Sequence, residues 1–423
     1  MANENNTNST DSLNLVTDTE IVNAEVANNS TQTNGNGNGN GNGKNGKKTT
    51  RTKTTRTNSG KTSNKSSKTS DDRNTWVRAT LNIDPGNKML KFSCNGSTSS
   101  PVPSIYKELK GDLPVGKAGC FGYKGKNYIV GNAAHSLKGK LYKSYEGHKT
   151  SKIDIWVIAA LTSDSFLDEI LQDEHYNKYP SKPCRIKLNI NLLSLTTEKV
   201  AAIKKTLQEI QSFTYRNRTF EIEFTNLEKE FIHTEGLGAA LTAFKKSPDL
   251  DEIGILDLGG GTIAFSILIG GKYHPKILEQ YPASGGGMVS VATCIFDSIN
   301  TGDIGGQHRR LDSIFAALKT AKAVDKVPYR LGNKTHNIAE GVSDGLDKWV
   351  DDNPTVLDVL TKAGQYLLGG GQIFGTGGGF ASPIIANWIK EYLSNEIDDP
   401  QFEVLDNPHI INLTGMQLLE EQQ

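Results

Sequence analysis

Residues 76–84 read as a strand, with apolar and polar positions alternating from Val77 to Asp84. Pro85-Gly86-Asn87 supplies turn chemistry, and residues 88–94 read as the returning strand of a hairpin. Residues 96–111 are loop-like, and short strands lie around Gly122 and Gly125 within 119–130. A helix is predicted over 153–171 and a strand over 184–195. The spacing of Val200, Ile203, Leu207 and Ile210 predicts a helix over 196–212. A strand over 219–224 and a helix over 236–244 precede residues 253–269, an apolar strand, a glycine turn and a second strand. Helices follow over 289–299, 311–323 and 355–368. A short strand over 372–374 runs into a glycine run and a helix over 381–393. Strands alternating with helices predict an α/β fold. The restart of the same plan near Ile253 predicts an internal duplication.

The first 74 residues lack this patterning. They are rich in Asn, Thr, Ser, Gly and Lys, with one weak apolar cluster from Leu13 to Val26. Such a segment cannot bury enough surface to offset its ordering entropy, which predicts a disordered low-complexity tail over 1–74. Charge refines the picture. The 423 residues hold 47 basic and 47 acidic side chains, but residues 1–43 carry five acids and no Lys or Arg, and residues 44–70 carry nine bases and no acid. The tail, acidic then basic, has a net charge of +3, and the remaining 349 residues have −3. The basic block can contact acidic partners, nucleic acid or anionic lipid by charge alone, or act as a solubilising segment.

A body of 349 residues implies two domains. The cysteines Cys94, Cys120, Cys184 and Cys294 form no C-x-x-C pair, which argues against a disulfide scaffold or a zinc site and for a reducing, cytoplasmic location. The longest apolar run, Ile155 to Leu161, is too short to span a membrane, and no signal peptide is read. Gly60-Lys61-Thr62 imitates the end of a phosphate loop, but position 55 is Thr and no apolar strand precedes it.

Two units carry the candidate chemistry. In each, an apolar strand ends in an acid and glycine follows two residues later: Asp84-Pro85-Gly86-Asn87, with Lys91 beyond, and Asp257-Leu258-Gly259-Gly260-Gly261-Thr262. Glycine lets backbone N–H groups approach phosphate oxygens, and the terminal Asp can hold a hydrated Mg²⁺. A third cluster, Gly377-Gly378-Gly379, opens a helix and can pack against a nucleoside or its phosphate.

In this order the three clusters resemble the first phosphate loop, second phosphate loop and adenosine loop of the actin, sugar-kinase and heat-shock-ATPase superfamily. Val130-Gly131-Asn132-Ala133-Ala134 resembles a strand end of the bacterial actins, and Thr234-Glu235-Gly236-Leu237-Gly238-Ala239 resembles the segment holding the water-orienting residue. The ending Asn412-Leu413-Thr414-Gly415-Met416 is similar to that of the ParM-like plasmid-segregation actins, and the likeness spans about residues 77–418. It implies an actin-like fold of two domains with duplicated nucleotide-binding cores around a central cleft. Domain I would cover 75–252, with 395–423 packing back on it, and domain II 253–394.

The resemblance also implies roles. Asp84 and Asp257 would hold Mg²⁺ through water, and Glu235 would orient the attacking water. Gly86, Asn87, Gly259, Gly260, Gly261 and Thr262 would line the phosphates of ATP or GTP, with Lys91 as a nearby point charge. Gly377, Gly378 and Gly379 would meet the nucleoside, and Gly285 and Gly286 would form a further turn near it. Asn87 replaces the usual Ser or Thr, and Pro85 removes one N–H from the first loop. The implied activity is ATP hydrolysis coupled to homopolymer assembly, in plasmid or chromosome segregation through a ParR-like DNA-binding adaptor, or as a cell-shape scaffold. A sugar kinase of the same fold would need an Asp base for a substrate hydroxyl, and none is evident. A chaperone would need a further domain after Gln423, and a membrane-tethered relative an amphipathic terminal helix.

Overall fold

The structure, a computed structural model, describes residues 76–420 except 115–117, 145–148, 194–198, 272–274, 300–310 and 396. The tail and the phosphate-loop imitation at Gly60 lie outside the described residues.

Each glycine-turn hairpin lies within its own sheet. Val77–Pro85 pairs antiparallel with Met89–Cys94, placing Asp84 opposite Lys91, and parallel with Cys184–Leu193. Arg218–Phe224 adds in parallel beyond it. In the second sheet Glu252–Leu258 pairs antiparallel with Thr262–Ile269 and parallel with Ile373–Thr376, and Phe402–Val404 adds in parallel beyond. On its far side the returning strand of each hairpin pairs antiparallel again, with Ser97–Thr98 and Val102–Pro103 in the first sheet and with Lys276–Ser284 in the second. The same five-strand order and sense thus occurs twice, which is the duplication expected from the repeated hairpin. The first sheet alone continues, through Ser212–Tyr215, Cys120–Tyr123, Lys126–Val130, Ile105–Leu109 and Tyr142–Lys143.

The central strands are long runs of buried residues because helices cover them. Helix Ile153–Ser163 is apolar nearly all round and buried, as a helix inside a core must be. Its Trp156 packs with Phe92, Phe121 and Phe220 in the first core. In the second core Trp349, Tyr329 and Phe265 are enclosed by helices Met288–Ser298, Leu311–Thr320, Ala339–Asp351, Pro354–Leu368 and Pro383–Ser394. Helix Leu237–Lys246 covers the opposite face of the second sheet, setting Ala239, Ala240, Ala243 and Phe244 on Ile253, Ile255 and Phe374. Helix Ile411–Glu420 crosses it, and Leu413 and Met416 reach Leu193 of the first sheet. Each fully buried side chain of this size contributes about 1.5–3 kcal/mol.

Two helices differ from the sequence reading, and the stretch 96–111, expected as a loop, contains strands Val102–Pro103 and Ile105–Leu109, because both pair into the first sheet. The helix expected over 153–171 breaks into Ile153–Ser163 and Phe166–Gln172, because the Asp164 carboxylate accepts the Phe166 N–H at 2.8 Å and starts a new helix. The helix expected over 196–212 is Val200–Gln208, and Ser212 already belongs to a strand. Helices Ala339–Asp351 and Ile411–Glu420 and strand Lys276–Ser284 have no counterpart in that reading. All four cysteines are buried, and no described helix is long and apolar enough to cross a membrane.

Candidate functional site

The two hairpin turns face each other. A Cβ on Gly261 would lie 3.4 Å from the Asn87 amide nitrogen, and one on Gly260 would lie 3.5 Å from Cγ of Lys88. The first turn is held by the Gly86 N–H donating to the Asp84 carbonyl (2.9 Å) and the Ser104 hydroxyl donating to the Gly86 carbonyl (2.6 Å). The second turn is clamped from behind. The N–H groups of Met288 and Val289, at the start of their helix, donate to the carbonyls of Gly259 and Gly260 at 3.0 Å each, and Gly285 N–H donates to Gly261 at 2.8 Å. A planar trans peptide whose carbonyl points at the helix turns its N–H the other way. The N–H groups of Gly260 and Gly261 therefore point away from the helix, as a cradle for anionic oxygens requires. Gly285 and Gly286 act behind this turn: Gly286 is buried and its carbonyl accepts the Trp349 indole N–H at 3.0 Å. Thr262 closes the turn, its carbonyl accepting the Gly259 N–H at 2.8 Å.

Asp84 and Asp257 are both buried at the ends of their strands. Lys91 Nζ donates to Asp84 Oδ2 at 2.9 Å. Burial works against the Lys91 charge, but Asp84, Asp257 and Glu235 outweigh it and hold the ammonium above its ordinary value. Glu235, just before helix Leu237–Lys246, is pushed up to about 7 by desolvation and by Asp257 and Asp84, with Lys149 and Lys91 opposing. Asp257 is raised to about 6 by desolvation and by Asp84, against Lys91 and a hydrogen bond from Asn412 (3.3 Å).

The acids Asp84, Asp257 and Glu235 outnumber the Lys91 and Lys149 ammonium groups that oppose them, and such a cluster suits a divalent cation. No described group of three or more His, Cys, Asp and Glu side chains is arranged to ligate a metal directly. The carboxylate oxygens of Asp84, Asp257 and Glu235 are the kind of acceptor that the water shell of a hard divalent cation takes.

The third glycine cluster lies against the second strand. Gly377 adopts φ +93°, and a Cβ there would lie 2.5 Å from the Leu258 carbonyl and would also overlap Asp257 Oδ1. Only glycine fits that approach. Gly377 N–H donates to the Pro408 carbonyl at 2.9 Å, Gly379 packs on Leu258, and Gly378 is exposed with open space around it. A cavity of about 430 Å³ opens from Asn87 toward Lys149 and Lys199.

All the sequence-predicted residues thus gather at the facing ends of the two hairpins, with Gly285 and Gly286 one layer behind. Other residues, to which the sequence assigns no role, join them. Asn412 bridges Asp257 and the Ala239 N–H (3.1 Å), and its place in the quoted chain ending is the signal that marks it. His409 is brought near Lys91 and Lys319, its buried Nδ1 without a hydrogen-bond partner, and burial and those two cations lower its basicity. Asn82, Asn191 and His233 form a polar chain beneath the first turn, linked at 2.8 and 3.4 Å.

No family model and no curated protein sequence matches the chain. Solved structures do. An archaeal actin homologue, Ta0583, superposes with a TM-score of 0.57 at 14% identity, covering 82% of this chain and 100% of its own. A quadruple mutant of pCBH ParM described as non-polymerisable gives 0.55 at 14% identity, covering 82% and 99%. A 15-stranded ParM filament from Clostridium botulinum gives 0.53 at 15% identity, covering 82% and 100%. The body has an actin-like, ParM-type fold.

Proposed function

We propose that this chain is a nucleotide-dependent, filament-forming actin-like ATPase. The observation that carries the reading is the meeting of two glycine turns, from equivalent hairpins of duplicated sheets, around Asp84, Asp257, Glu235 and Lys91. Phosphates would rest on the N–H groups of Gly260 and Gly261 opposite Asn87, and the nucleoside against Gly377, Gly378 and Gly379. Lys91 offsets phosphate charge while held by Asp84. Asp84 and Asp257 would hold the water shell of Mg²⁺, which supplies charge neutralisation of the phosphates when bound. Glu235 would position a water against the terminal phosphate and take its proton, for which a carboxyl raised to about 7 is suited.

The likeness in fold to ParM structures, one of them a filament, supports extending the reading to self-assembly. We assign 75–252 with 395–423, and 253–394, to the two domains around the nucleotide. In its finer form the reading places the polymer in DNA segregation through an adaptor, with a cell-shape scaffold as the other use of such a polymer.

Light scattering and negative-stain microscopy with ATP, ADP and no nucleotide provide the test. Polymers should appear with nucleotide. Glu235→Ala should slow ATP turnover by about a hundredfold while leaving assembly intact, and Asp257→Ala should impair both. A monomer under every condition, or phosphoryl transfer to a sugar faster than hydrolysis, would sink the proposal.

A further inference from the structure

Lys88 follows Asn87 at the tip of the first hairpin. Its stem lies along the second turn, where a Cβ on Gly260 would meet its Cγ at 3.5 Å and its Cδ at 3.6 Å. Its Nζ sits 3.7 Å from the centre of the Phe315 ring, on helix Leu311–Thr320 of the second core. Asp312, three residues earlier on that helix, attracts the same charge. Desolvation still leaves the ammonium below the ordinary lysine range. One cation thus spans the first turn, the second turn and a helix of the other half.

The seats of the two lysines differ. Lys91 is held at 2.9 Å by a buried carboxylate. Lys88 rests on an aromatic face with the Asp312 charge nearby, a weaker seat than direct contact with a full negative charge. Lysine is a compact charge on a flexible stem and can change partners by rotating that stem. The glycine N–H groups that would hold phosphoryl oxygens belong to the turn along which this stem lies.

We propose that Lys88 senses the terminal phosphate of a bound nucleoside triphosphate, leaving Phe315 for that phosphate and releasing the Leu311–Thr320 helix from the first hairpin. This rests on the nucleotide reading of the site. A diphosphate places no anion at the terminal position, so the ring contact persists and the helix stays tethered. The nucleotide state is thereby reported to the second core through one side chain.

Calorimetric titration of the full chain with Mg²⁺-ATP and Mg²⁺-ADP tests this, using wild type, Lys88→Met, Lys88→Arg and Phe315→Leu. Lys88→Met keeps the stem and removes the charge. It should weaken ATP binding about tenfold with ADP binding unchanged, and the retained ADP affinity confirms a folded site. Lys88→Arg should restore most of the ATP affinity. Phe315→Leu removes the competing seat and should tighten ATP binding about threefold. Equal losses for ATP and ADP in Lys88→Met, or weaker ATP binding in Phe315→Leu, overturn the role of Lys88 alone. A wild-type chain that binds neither nucleotide overturns the nucleotide reading, and this proposal with it.

Discussion

At the scale of single residues, the site has more negative charge than the fold itself can neutralise. Glu235 and Asp257 stand raised to about 7 and about 6, because burial and mutual repulsion outweigh Lys91. Unfolded, both titrate near 4. Between those values the folded protein binds more protons than the unfolded chain, so stability falls as pH rises from about 4 to about 7. For the nucleotide-free, magnesium-free protein, the cluster should make the unfolding free energy from urea titration higher at pH 5 than at pH 8, by on the order of a few kcal/mol. Asp257→Asn combined with Glu235→Gln should flatten that difference, and Mg²⁺-nucleotide should shrink it by holding the carboxyls ionised. If the double variant keeps the full pH dependence, the acids responsible lie elsewhere. Asp84, Glu235 and Asp257 are legible in the sequence because each sits at a local signal, a strand end followed by glycine or a short quoted segment. Asn412 lies 155 residues from the Asp257 it contacts, and no local pattern announces such a pairing.

At the scale of elements, the same distinction separates what the sequence reveals from what it hides. Strands and helices with uninterrupted periodicity, such as Glu252–Leu258 and Pro354–Leu368, are read nearly to their ends. Two of the longer unexpected helices, Ala339–Asp351 and Ile411–Glu420, carry interior glycines that look like breakers. Those glycines are where helices cross most closely. A Cβ on Gly345 would lie 2.7 Å from the Ile295 backbone nitrogen, and one on Gly415 would overlap the Gly238 carbonyl of helix Leu237–Lys246. Among the unexpected strands, Lys276–Ser284 is an exposed edge with Pro282 in it, so it shows no buried alternation. Two glycine-to-alanine changes should therefore have opposite signs. Gly415→Ala forces the helices apart, should cost about 1–3 kcal/mol or more, and should loosen Asn412 from Asp257 with a loss of nucleotide affinity. Gly364→Ala has nothing nearer than the Leu393 side chain at 4.0 Å and should stabilise its helix by about 0.5–1 kcal/mol. Thermal unfolding of the two variants decides it. A harmless Gly415→Ala would show that this crossing has room the geometry denies.

At the scale of the whole molecule, the net charge of zero conceals two opposed parts. The body carries 37 bases and 40 acids, and the first 74 residues carry 10 and 7, nine of those bases in one acid-free block. Nothing in the proposed site calls on that block, since every group placed around the nucleotide lies between Asp84 and Asn412. In a polymer, each subunit would present one such block. Contacts too weak to hold singly would then add by multivalency, with steep sensitivity to salt. Deleting residues 1–72 should leave ATP turnover per subunit within about twofold of the full chain, because no site group is touched. The deletion should alter filament bundling or co-sedimentation with a polyanion such as DNA. Replacing the nine bases with Gln in the full-length chain should reproduce that change and abolish its salt dependence, which separates charge from mere length. Collapse of turnover on deletion would place part of the nucleotide-binding unit before residue 73. Unchanged bundling and co-sedimentation would leave the block a solubilising role only.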